Sequence, residues 1–123
     1  MFRLSKEQLQ ALSATVEQSF ITRTLHHLRD GFPLEIEAHG LLGPALDAMV
    51  QRGVAEAATF GITQEDDVRL YLECMLLLSP CFSSDPRWPW ATEILRSEEL
   101  SGTAKMDMIH DHLVFGGEEG TRA

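Results

Sequence analysis

The chain is short of positive charge. Ten lysines and arginines stand against nineteen aspartates and glutamates, a formal net charge of −9 over 123 residues. That balance excludes nucleic acid as a natural partner, because duplex binding depends on cations neutralising phosphates. It disfavours an anionic membrane surface for the same reason. Cysteine is also scarce, with Cys74 and Cys81 the only two. With no signal-peptide pattern at the N-terminus, they predict reduced thiols and a cytoplasmic protein, not a disulfide framework. Cys74 sits in an apolar helical context and reads as core, whereas Cys81 beside Pro80 reads as more accessible. The longest apolar run, Met75-Leu76-Leu77-Leu78, falls far short of the roughly 20 residues of a membrane span. Recognisable catalytic motifs are missing too: no phosphate loop ending in Lys-Ser or Lys-Thr, no Gly-x-Ser-x-Gly elbow and no His-Glu-x-x-His pair.

What is present is an ordinary globular composition, 44% hydrophobic and 24% charged, which argues against disorder. A chain of this length suits one domain that needs no metal or disulfide to hold together. The pattern predicts an all-α fold, a single compact domain of roughly five to six helices over 1–115, with a flexible tail over 116–123.

The first helix is long. A Ser5/Gln8 capping box opens it, Leu9, Leu12, Val16 and Phe20 form one stripe, Ile21, Leu25 and Leu28 a second, and Gly31 and Pro33 stop it. Leu34 to Gly43 alternates apolar and polar residues like a strand. No second strand-like run exists to pair with it, so it reads as a helical turn or linker. Pro44 suits the first turn of a helix built on Leu46, Met49 and Val50, which Gly53 interrupts. A short Ala-rich segment follows and Gly61 caps it. A second capping box, Thr63/Asp66, opens a central helix that is apolar on nearly all sides, from Val68 through Leu78. After a loop with three prolines, a short helix covers about Trp90 to Leu95. Ser101 and Gly102 start the last helix, its apolar face Ala104, Met108 or Ile109, and Leu113.

Metal ligation is a weak prospect. His26 and His27 diverge by about 100° on a helix, and His110 and His112 by about 200°. Asp107 and His110 share a face, but no matching carboxylate-and-His helix stands opposite. No metal, cofactor or catalytic residue is assigned. Glu65, Asp66 and Asp67 suit the positive end of a helix dipole.

The loop Phe82-Ser83-Ser84-Asp85-Pro86-Arg87-Trp88-Pro89-Trp90 is the richest segment. Tryptophan and arginine are enriched among residues that dominate interface energies, and flanking prolines lower the cost of ordering them. Trp90 reads as a plug for the core, while Trp88 and Arg87 divide evenly between packing and partner contact. The candidate partner-binding residues are Asp85, Arg87 and Trp88 in this loop, and Glu35 and Glu37 before the second long helix.

Ala57-Ala58-Thr59-Phe60-Gly61-Ile62-Thr63, Asp66-Asp67-Val68, Tyr71-Leu72, Phe82, Asp85-Pro86, Pro89-Trp90-Ala91, Ile94-Leu95 and Lys105-Met106-Asp107 together make a pattern. It resembles a group of small, uncharacterised bacterial helical proteins associated with type VI secretion gene clusters, over about residues 5 to 115. The resemblance implies a cytoplasmic adaptor or chaperone that loads a secreted effector onto the spike, or an immunity protein. It carries over no catalytic residue. The expected function is therefore a non-catalytic protein-interaction module with a protein partner, possible partners being a secreted effector or spike protein. The alternatives are an immunity protein neutralising a toxin and a small metal-dependent enzyme or regulator using Asp107, His110 and His26. Homodimerisation stays open.

Overall fold

A computed structural model describes the backbone of residues 6–122 and the side chains of residues 18–115. Among the described residues six helices follow one another: α1 Lys6–Gly31, α2 Pro33–Ala38, α3 Pro44–Thr59, α4 Glu65–Leu77, α5 Pro89–Arg96 and α6 Gly102–Arg122. Among the described residues there is no strand, and no helix is long and apolar enough to cross a membrane.

Helix α4 is the centre. Val68, Tyr71, Leu72, Cys74, Met75 and Leu76 are all buried, and α1, α2, α3 and α6 pack around it. Phe20, Ile21, Leu25 and Leu28 supply the buried face of α1. The Ser5/Gln8 box and the side chains of Leu9, Leu12 and Val16 lie outside the described residues. Helix α5 completes the domain by packing Ala91, Ile94 and Leu95 inward and leaning on α6.

The alternating stretch after Pro33 is helical. Proline at the start of α2 presets the helical φ, and only Ile36 of the run is buried, so the period-two pattern has no sheet to serve. Gly53 does not interrupt α3; the helix runs through it to Thr59. A Cβ on Gly53 would lie 2.4 Å from Leu72 Cδ2 and 2.7 Å from Met75 Sδ. The missing side chain lets α4 cross closely, a tertiary gain that outweighs the helix propensity it forfeits.

Gly61 caps α3 as its sequence position predicts. At φ +78°, its N–H donates to Ala58 O and the N–H of Ile62 to Ala57 O, both at 3.0 Å. This is the two-bond C-terminal motif that favours glycine, and buried Ile62 is its apolar contact.

The Thr63/Asp66 capping box does not form. Gln64 occupies the cap of α4 without a side-chain bond, and Asp66 instead accepts from Arg69 at 2.8 Å. With the helix starting at Glu65, Thr63 falls one residue before the capping position, out of register for a box with Asp66.

Ser101 does cap α6, its Oγ accepting from the Ala104 N–H at 3.1 Å. The inward face of α6 is Lys105, Met106 and Ile109, with Leu113 partly buried, while Met108 points outward. Lys105 is buried for a specific reason. Its Nζ donates to Phe60 O at 2.8 Å, meeting a carbonyl at the α3 C-terminus where positive charge is favoured. The α6 backbone continues helically across 116–122, the stretch whose composition predicts a tail. The side chains there lie outside the described residues.

Candidate interaction surface

The loop from Leu78 to Trp88 carries three of the predicted partner-binding residues, and the fold brings them together. Asp85 accepts from the Arg87 backbone N–H at 3.0 Å. The Arg87 guanidinium returns to the same carboxylate, with Nη2 2.9 Å from Oδ2 and Nε 3.2 Å from Oδ1. Its Cζ then lies 4.4 Å from the Trp88 ring centroid. Pro86 between the two charges keeps the turn tight. Arg87 is thus held by a two-pronged ion pair and a cation–π contact, both within its own loop. Trp88 itself is half-buried, and Trp90 stacks on His112 of α6, ring centroids 4.3 Å apart and planes 6° from parallel.

The hydrogen bonds from Arg87 hold the Asp85 carboxyl at about 2, below its usual 3.8. A carboxylate lowered in the folded state contributes stability above its unfolded pKa and loses it as pH falls through the folded value. The contribution of this ion pair is therefore complete above about pH 4 and is lost between about pH 4 and pH 2. In a Trp90→Phe background, Trp88 emission should change over that window, and Asp85→Asn should give the acid-type emission already at pH 7. Identical Trp88 emission in the two proteins at pH 7 would show that the ion pair does not position the indole.

Glu35 and Glu37, the other two candidates, lie on α2. Two residues apart on a helix they diverge by about 200°, and Glu35 is half-buried while Glu37 is exposed. They do not form one carboxylate patch.

The charges elsewhere divide unevenly. Arg23 pairs with Glu65, Arg29 with Asp47 and Arg69 with Asp66. Arg52 donates to Pro80 O at 3.0 Å, and Lys105 is buried against Phe60 O. With Arg87 tied to Asp85, six of the seven described cations are directed inward or onto neighbouring acids, and Arg96 alone is exposed without an acidic partner among the described residues. By contrast Glu37, Glu93, Glu98, Glu99, Asp107 and Asp111 are exposed and have no cationic partner among the described residues. The net charge of −9 is thus expressed as uncompensated surface carboxylate.

One polar cluster escaped the sequence pattern. Glu56 on α3 accepts hydrogen bonds from the Tyr71 hydroxyl on α4 and from Ser83 Oγ in the loop, the latter at 2.7 Å. Ser83 in turn accepts through its backbone carbonyl from Thr92 Oγ1 on α5 at 2.7 Å. Burial, then the adjacent Glu56 carboxylate, pushes the Tyr71 phenol well above its usual range. The cluster joins four segments, and its hydroxyls are already committed to internal acceptors. The only hint in the sequence was a lone tyrosine in an apolar helix.

Burial likewise pushes the Cys74 thiol up to about 12; Cys81 is exposed, and both are free. His26 is exposed on α1, and Asp107 and His110 are exposed on α6. Among the described residues no three His, Cys, Asp or Glu side chains converge as metal ligands would. No protein-family model matches the chain, and no curated protein or solved structure matches it either.

Proposed function

We propose that this chain is a non-catalytic interaction module that binds a protein with a basic face. The observation that carries this is the division of charge: every described cation except Arg96 is paired within the chain or buried, while six exposed carboxylates have no cationic partner among the described residues. An acidic field of this kind steers and selects a basic partner, with rates and specificity more sensitive to it than raw affinity. The Asp85–Arg87–Trp88 loop adds an exposed guanidinium lying over a half-buried indole. The finer assignment, an adaptor or chaperone for a secreted effector or spike protein, rests on the resemblance, over about residues 5 to 115, to small bacterial proteins associated with type VI secretion gene clusters. An immunity protein would use the same acidity to cover a toxin's basic site.

Affinity capture of the tagged chain from its host's lysate, at low and high salt, tests the module. A single stoichiometric partner with a basic face, released by salt, is expected. Co-expression with a toxic partner then separates the roles, since an immunity protein restores growth and a loader does not.

A further inference from the structure

Helix α6 has two faces, and only one is used by the fold. Met106, Ile109 and Leu113 turn toward α4 and α5. At about 100° per residue, Met108, Asp111 and Phe115 fall together on the other side, with Asp107 and Val114 at its edge. Met108, Val114 and Phe115 are 42%, 56% and 67% exposed. Three large apolar side chains on about two turns of solvent-facing helix are unusual, since such positions normally carry polar residues. The spacing 108, 111, 115 alternates steps of three and four, the interval of a helix–helix seam. The two aspartates in it are exposed and have no cation among the described residues.

We propose that this outer face of α6 is the docking site for an amphipathic helix of a partner protein. The partner helix would lay apolar side chains against Met108 and Phe115 and place Lys or Arg opposite Asp107 and Asp111. Charge selects this occupant over a second copy of the chain. A symmetric pairing of two α6 faces would bring Asp111 toward its own counterpart, on two molecules of net charge −9 each, whereas a basic helix neutralises both aspartates. A single polar position in an apolar seam also fixes register, so Asp111 would set the alignment. This site rests on the acidic-module function proposed above and gives it a location.

The probe is a synthetic helix of roughly three heptads, with leucine at one seam position and lysine at the other. Its control carries glutamate in place of every lysine. Both are titrated into the full chain at low salt and followed by amide NMR. The lysine peptide is expected to shift the amides of residues 107–115 and the glutamate peptide to leave them unmoved. Met108→Ser with Phe115→Ser should raise Kd at least about tenfold, the scale of losing two buried apolar contacts at an interface. Leu34→Ser, at an exposed leucine on α2, should leave Kd unchanged. Lysine-peptide shifts confined to other elements would overturn the α6 site while leaving an acidic binding module intact. Equal binding of both peptides would overturn the charge selection. A concentration-dependent dimer abolished by Phe115→Ser would assign the face to a second copy instead. Failure of the lysine peptide to bind at all would also reject the site, and the lysate capture reports independently on the module.

Discussion

Replacing Glu56 by alanine is expected to destabilise the fold by about 2–4 kcal/mol, more than any other carboxylate substitution among the described residues. The carboxylate is the shared acceptor for the Tyr71 hydroxyl and for Ser83 Oγ. Tyr71 is fully buried and Ser83 nearly so, so neither hydroxyl regains water when Glu56 is removed. Each stranded donor costs about 1–3 kcal/mol, and the loop that Ser83 anchors loses its tie to α3. Tyr71→Phe should cost less, about 1–2 kcal/mol, because half-buried Glu56 keeps Ser83. The double variant should cost less than the sum of the singles, the signature of a direct contact. Urea denaturation of the four proteins measures this. A Glu56→Ala midpoint no lower than that of Glu93→Ala, an exposed glutamate on α5, would mean the network holds nothing together.

Gly53→Ala sets two effects against each other. Alanine in a helix interior is favoured over glycine by about 1 kcal/mol. At this position the new methyl would lie 2.4 Å from Leu72 Cδ2 and 2.7 Å from Met75 Sδ, and both of those side chains are fully buried. Overpacking a tight core costs about 1–3 kcal/mol. Packing is expected to win, leaving Gly53→Ala destabilised by about 1–2 kcal/mol and Gly53→Val by more, since valine adds bulk and lowers helix propensity. Thermal unfolding followed by circular dichroism gives the ranking. A Gly53→Ala protein more stable than the parent would show that α3 and α4 separate at no cost and that glycine is not needed for their approach.

The helical architecture was legible because the apolar stripes repeat at three- and four-residue steps and because proline and glycine mark the ends. Pro33, Pro44 and Pro89 all start helices, and Gly61 ends one. Where the sequence misled, a tertiary or electrostatic competitor decided. Gly53 looks like a helix breaker until Leu72 and Met75 fill the space above it. Thr63 looks like a cap, but α4 starts at Glu65 and puts Gln64 in that position, while Arg69 engages Asp66. The choice between Met108 and Ile109 on α6 could not be made from spacing alone, because both fit a helical period and only the position of α4 and α5 distinguishes them. The loop candidates Asp85, Arg87 and Trp88 were legible as a cluster from their proximity in sequence. That Arg87 spends its charge on Asp85 was not, since the sequence does not fix the guanidinium's direction. Lys105 and Glu56 were invisible as structural residues because each is satisfied by a partner 45 and 27 positions away, respectively, at Phe60 and Ser83. Charged residues normally read as surface.

These features support a small helical scaffold whose interior polar groups are mutually satisfied and whose unpaired surface charge, Arg96 apart, is carboxylate. Among the described residues, no buried side-chain nitrogen or oxygen lacks a hydrogen-bond partner. On the function proposed above, such a surface recognises a basic protein. The most direct test is the salt dependence of Kd for the partner captured from the host's lysate. The expected result is a stoichiometric complex whose Kd rises more than about tenfold between roughly 50 mM and 500 mM salt, as exposed carboxylates are screened. A Kd indifferent to salt over that range, or a chain recovered alone at both extremes, would contradict an acidic interaction module.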